Sequence, residues 1–305
     1  MTILVTGACG FIGSYLIPTL LEKGHEVAAT DRGPEPEWIA KLDGVTYYQV
    51  DMGREAEIQR MMGLVRPQKV VHLASILVGP CEADPLTGFR INFMSTAALL
   101  DACHAHGGDR FIMSSAGAVF GKGLEEPVAN DAIRVPDTVY GQTKVAGEQL
   151  LEWYRRVRGL ECGAVRFPWV YGPGRSTGLT AEYSSKLLDQ IAAGEKVVID
   201  NPDEKGDWLF VKDAVKSIML LLERDSQPAI SYNIMGELHT IRDAMEVAKS
   251  LYPEAEIEIR ESAQTSQPYA SAFDDSQARK DIGWAPDYSL ADGIRAHVET
   301  VRAKA

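Results

Sequence analysis

Short apolar runs alternate with amphipathic stretches through the first two-thirds of the chain. Residues 1–6 are apolar and β-branched without polar alternation, the pattern of a strand covered on both faces. The run stops at Gly7, and from Phe11 apolar positions recur at helical spacing through Ile12, Tyr15, Leu16 and Leu20. Further strand-like runs cover residues 27–30, 45–49, 70–74, 110–114 and 162–167, with helical patterns between them. This order predicts an α/β fold, a doubly wound parallel sheet with helices on both faces. Beyond Tyr171-Gly172-Pro173-Gly174 the pattern loosens, and Pro202, Pro228, Pro253 and Pro268 interrupt it. We therefore expect one domain over residues 1–172 and a mainly substrate-side region over 173–305, with residues 207–224 returning to the main sheet.

The glycines between the first strand and helix stand at Gly7, Gly10 and Gly13. A strand, a glycine turn and a helix start form a site for a pyrophosphate, because bare backbone lets phosphate oxygens approach the N–H groups. The second strand-like run ends in Asp31, 18 residues after Gly13. A carboxylate there accepts hydrogen bonds from an adenosine ribose and repels a 2′-phosphate, which favours NAD over NADP. Arg32 beside it tempers that preference.

Tyr140 and Lys144 carry the candidate chemistry. Pro136 followed by Asp137 or Thr138 marks a helix start, and four residues along a helix return to the same face. A free phenol, with a pKa of about 10, is a poor base at neutral pH. A neighbouring ammonium and a nicotinamide cation favour the phenolate, and a shift of about 3 units needs about 4 kcal/mol of differential interaction. Tyr140 is then a general base for an alcohol, and Lys144 a ligand of the nicotinamide ribose.

Composition removes other classes. The 305 residues are 45% apolar and 24% charged, ordinary for a folded chain. A formal charge of −12 argues against nucleic acid or an anionic membrane as partner. Cys9, Cys81, Cys103 and Cys162 are scattered, and the histidines lack ligand spacing, so no metal site is expected. A strand directly after Met1 leaves no room for a signal peptide, and no apolar run is long enough to span a bilayer. A cytoplasmic protein with a small-molecule substrate is the expectation.

These motifs resemble the extended short-chain dehydrogenase/reductase superfamily, the NAD-dependent epimerase/dehydratase family. The resemblance runs through residues 6–13, Asp31, 50–52, 71–74, Asn92, 111–121, 140–144, 166–173, 207–213 and 274–286. It implies a Rossmann domain of about seven parallel strands, a smaller C-terminal region, and a homodimer through a four-helix bundle. It puts Phe11 and Ile12 in the glycine motif, Asp51 and Met52 at the adenine, and Leu73, Ala74 and Ser75 along the cofactor. Asn92 belongs to the same set, and Phe167 or Pro168 lies near the nicotinamide. Substrate contacts are expected from Ser75, Ser115, Ala116, Tyr140, Trp169 and Tyr183.

Three departures bear on function. Family members carry a Ser or Thr hydroxyl where this chain has Ala116, and Ser115 stands one place early as the candidate replacement. Nucleotide-sugar enzymes of the superfamily contact the diphosphate through an Asn and an Arg, where this chain has Trp169 and Gly206. Other segments, 138–141, 180–183 and 274–284, look more like the L-threonine 3-dehydrogenase subgroup. A dehydrogenase oxidising a secondary alcohol of a small polar substrate (hydroxy-amino acid, sugar acid or sugar) is the leading reading. A nucleotide-sugar epimerase or dehydratase, with Arg175 or Lys186 replacing the diphosphate ligands, is the second. A non-catalytic dinucleotide sensor is the third.

Overall fold

Strands form where the apolar runs are densest. The computed structural model describes residues 1–260 and 268–304. In chain order the strands are β1 (Thr2–Thr6), β2 (Glu26–Asp31), β3 (Val45–Gln49), β4 (Lys69–His72), β5 (Arg110–Ala116), β6 (Glu161–Phe167), β7 (Trp169–Tyr171), β8 (Val197–Ile199), β9 (Lys205–Phe210), β10 (Ser231–Asn233), β11 (Glu237–Thr240) and β12 (Ile257–Ile259). Seven of them make one parallel sheet in the order β10-β6-β5-β4-β1-β2-β3. This is the Rossmann-like arrangement expected.

The uninterrupted apolar run of β1 has a simple cause. Ile3 and Val5 pack into one core with Leu16 and Ile17, while Leu4 faces the other core with Met61 and Leu99. Both faces are covered, so no polar alternation survives. The chain winds outward from β1 through β2 to β3, then restarts at β4 on the other side of β1. The crevice at that reversal, beyond the C-terminal strand ends, is where such sheets bind ligands.

The expected return of residues 207–224 is corrected in part. The helix Val211–Leu222 packs on β5, β6 and the Phe11–Glu22 helix. Strand β9, however, joins a separate sheet of order β11-β9-β7. The strand that re-enters the main sheet is β10, beside β6. Its three residues are too few for a periodic pattern to reveal. Among the described residues no helix is long and apolar enough to cross a membrane.

Candidate active site

Each glycine of the first turn is required for its own reason. Gly7 has φ +66°, and a Cβ there would lie 2.7 Å from the Ala74 backbone nitrogen. At Gly13 a Cβ would lie 2.5 Å from the Ala8 carbonyl oxygen, so the helix bearing Phe11 and Ile12 could not seat on the turn. At Gly10 a Cβ meets the Gly7 carbonyl oxygen at 3.0 Å and otherwise projects into open space. That space is the cradle a phosphate needs, and a side chain would fill it. Asp31 ends β2 beside the turn; its Oδ2 accepts from Cys9 N at 3.1 Å and its Oδ1 from Arg32 N at 2.8 Å. Backbone donors at a helix start, a cradle free of side chains and a carboxylate at the next strand end fit NAD.

The loop after β4, Leu73-Ala74-Ser75, borders this cradle: Ala74 N donates to Thr6 Oγ1 at 3.2 Å. Asn92 holds the loop from behind. Its Oδ1 accepts from Ile76 N at 2.8 Å, and its Nδ2 donates to Ile76 O at 2.9 Å and Thr143 Oγ1 at 3.2 Å. Asn92 was expected at the cofactor; in the fold its amide ties the loop to the helix. Asp51 and Met52 follow β3. Asp51 caps its own turn through Gly53 N at 2.8 Å, and Met52 is buried. Phe167 ends β6 in register with Ala116 and is buried.

Tyr140 and Lys144 lie on the helix Val139–Trp153, whose N-cap is Thr138, accepting from Gly141 N at 3.0 Å. Gly141 lets the helix sit against the Gly117–Val119 turn, since a Cβ there would lie 2.2 Å from Ala118 O. Both side chains are buried on one face, with the Lys144 ammonium 5.5 Å from the Tyr140 ring centroid. Burial holds the phenol above its ordinary pKa, and Tyr269 and Cys81 push the same way. The leading downward influences are the charge of Arg175 and the Ser75 hydroxyl, rather than Lys144 as the sequence suggested. Lys144 donates to Ser114 O at 2.8 Å, and burial lowers its own pKa to about 8.

Ser115, the candidate for the missing hydroxyl, has a partner of its own. Its Oγ donates to Glu148 Oε1 at 2.6 Å, inside a buried network where Arg166 and Arg134 also pair with that carboxylate. Ala116, its neighbour, packs in the cluster that holds Tyr140. Strand side chains alternate between faces, so a serine one place early points the wrong way. The hydroxyl that draws the Tyr140 pKa down belongs to Ser75.

Trp169, expected at the substrate, is 2% exposed and lies in an aromatic stack with Tyr183 and Trp208, at 6.2 and 6.1 Å between centroids. It forms a wall under the cleft. A Cβ on Gly206 would lie 2.3 Å from its ring. Tyr183 covers the indole, and its hydroxyl accepts from Asn201 Nδ2 at 3.3 Å. Two further groups join the site. Tyr269 packs in the Tyr140 cluster, and the Arg175 guanidinium lies over Phe11, 5.8 Å from its ring centroid, close enough to act on both phenols. Glu148 completes the surroundings one turn beyond Lys144, a spacing that i,i+4 reasoning could have flagged.

Fold and site together define an NAD-dependent enzyme of the extended short-chain dehydrogenase/reductase type. Residues 3–234 match the NAD dependent epimerase/dehydratase family, and the chain belongs to that family. It is 30% identical over 327 residues to a UDP-glucose 4-epimerase of Mycolicibacterium smegmatis, covering 100% of this chain and 99% of the relative. Among solved structures it resembles the Thermus thermophilus UDP-glucose 4-epimerase in complex with NAD, with TM-score 0.85, 27% identity and 100% of both chains covered. It is also similar to the GalE-like L-threonine dehydrogenase of Cupriavidus necator, with TM-score 0.87, 25% identity, and 100% and 99% covered.

Proposed function

We propose that the protein is a dehydrogenase that oxidises the secondary alcohol of a small polar substrate, with Tyr140 as general base. The observation that carries this reading is the contact between Trp169 and Gly206. A side chain at 206 has no room while the indole is in place. The two departures from the nucleotide-sugar pattern are therefore one packing unit, and a buried diphosphate would find neither amide nor guanidinium there.

When bound, NAD supplies the hydride acceptor, so that alcohol and NAD become ketone, NADH and one proton. The chain's part is to hold the cofactor and handle the proton. The Gly7–Gly10–Gly13 turn receives the pyrophosphate and Asp31 the adenosine ribose, while Leu73, Ala74 and Phe167 line the path. Tyr140 Oη accepts the hydroxyl proton, with Lys144 charged beside it. Ser75 takes the part left open by Ala116, donating to the reacting oxygen and lowering the cost of the phenolate. Assaying NADH formation over a panel of hydroxy-amino acids, sugar acids and sugars tests the reading. If none is oxidised while a UDP- or dTDP-sugar is converted, it fails.

The second reading, a nucleotide-sugar epimerase, draws on the full-length likeness to the Mycolicibacterium enzyme. It predicts NAD retained through purification and no net NADH release.

We further propose a homodimer. Leu86, Phe89 and Met94 on one helical segment, and Trp153 and Val157 on the run that carries Tyr140, are exposed apolar side chains at 77, 38, 52, 37 and 48%. The two segments pack together, and a second copy would cover both. Light scattering of the purified protein decides it; a monomer at micromolar concentration removes the dimer.

A further inference from the structure

We propose that Arg175, flanked by Tyr269, is the seat of a substrate carboxylate, which makes the substrate a hydroxy acid. This rests on the dehydrogenase reading and narrows it.

Arg175 follows the Gly172-Pro173-Gly174 turn after β7, which bends the chain back over the strand ends with Gly174 at φ +90°. Its guanidinium is drawn inward: Nη1 donates to Val170 O and Nη2 to Thr180 Oγ1. The planar group is thus fixed beside Phe11, with Tyr140 and Tyr269 as the ionisable groups that act on it. Two of its five N–H donors are used in those bonds. No carboxylate among the described residues pairs with it, and the groups that act on its charge are the two phenols Tyr269 and Tyr140. Loss of water instead draws its pKa down to about 10, where it is still a full cation at neutral pH.

A cation held in a cleft without an anion is unfavourable until an anion arrives. The fork of a guanidinium matches a carboxylate in two parallel hydrogen bonds, and its location fixes where that carboxylate sits. Arg175 is held over Phe11 of the cofactor turn and Tyr140 is among the groups that act on its charge, so a carboxylate seated there belongs to the same small molecule whose hydroxyl meets Tyr140. A diphosphate, which sits further from the carbon being oxidised, is not what this geometry serves. Trp169 and Gly206 offer it neither an amide nor a guanidinium.

The test compares acids with their neutral counterparts on the NAD-saturated protein: L-threonine with L-threoninamide, 3-hydroxybutyrate with butane-1,3-diol, and glucuronate with glucose. Malonate and malonamide serve as inhibitor probes. The expected result is that at least one acid is oxidised with kcat/KM at least about tenfold above its neutral partner, and that malonate competes where malonamide does not. Arg175→Gln should erase that preference: kcat/KM for the acid should fall at least about tenfold further than kcat/KM for its neutral partner, mainly through KM, while the NAD dissociation constant changes less than about threefold. Arg175→Lys should restore part of it. Equal oxidation of acids and neutral alcohols by the wild-type protein overturns the inference and leaves the dehydrogenase reading standing. So does a preference that survives Arg175→Gln, or a variant whose loss lies wholly in NAD binding, which would make Arg175 a cofactor ligand. Conversion of a nucleotide sugar without oxidation of any panel member removes the dehydrogenase reading itself. The wild-type substrate pairs decide the matter even if the glutamine variant fails to fold.

Discussion

Gly206 and Trp169 face each other across neighbouring strands so closely that a single added carbon at 206 would lie 2.3 Å from the indole. The small residue exists because the large one fills its space. Gly206→Ala should therefore destabilise the protein by about 1–3 kcal/mol, the usual cost of overpacking a closed core. Urea unfolding checks it, and an unchanged midpoint would mean the stack is loose.

Ser75 and Ser115 make opposite predictions. Ser75→Ala should lower kcat about 10–100-fold with little effect on stability, because it removes one donor at the reacting oxygen. Ser115→Ala should leave kcat near the wild-type value and cost about 1–3 kcal/mol, because Glu148 loses a buried partner. Parallel kinetics and unfolding on the two variants separate the roles; the reverse pattern restores Ser115 to the catalytic site.

Much of this site was legible in the sequence, and the misses have physical causes. The glycine turn, Asp31 and the Tyr140–Lys144 pair are contiguous or helically spaced, so local geometry brings each set together. Ser115 depended on which face of β5 a residue occupies, and a one-residue offset reverses that face. Asn92 is an amide whose partners, Ile76 and Thr143, lie on different elements, so nothing in its own neighbourhood reveals the bracing role. Strand β10 was missed because three residues carry no period, and the position of Arg175 beside Tyr140 emerges only when the turn after β7 folds back.

Asp207 gives a pH signature. Its Oδ1 accepts from Gly236 N at 2.7 Å, its Oδ2 is buried without a partner, and burial raises its pKa from 3.8 to about 8. The folded state therefore holds this proton more tightly than the unfolded chain. The associated stability is complete below about pH 4, declines through the interval, and is lost once the pH passes about 8. Asp207→Asn removes the titration, so the variant should be more stable than wild type at pH 8 and above by at least about 1.4 kcal/mol, the worth of one pKa unit. The gap should close toward pH 4. Melting temperatures measured across that range check it; parallel curves for the two proteins contradict it.

Asp31 sets the choice of dinucleotide. Asp31→Ala should raise KM for NAD about tenfold and narrow the preference against NADP, with Arg32 then free to meet a 2′-phosphate. Comparing both cofactors at one substrate concentration reads this directly. If NADP is already the better cofactor of the wild-type protein, the assignment of Asp31 is wrong.

The most direct measurement of the central claim is the multiple-turnover yield of NADH from NAD and a small secondary alcohol, with wild-type protein and Tyr140→Phe side by side. The account predicts NADH in large excess over enzyme for wild type, and a rate lower by about 10²–10⁴ for the variant, the range a positioned base contributes. NADH that never exceeds one equivalent per site, or a phenylalanine variant as fast as wild type, would contradict it.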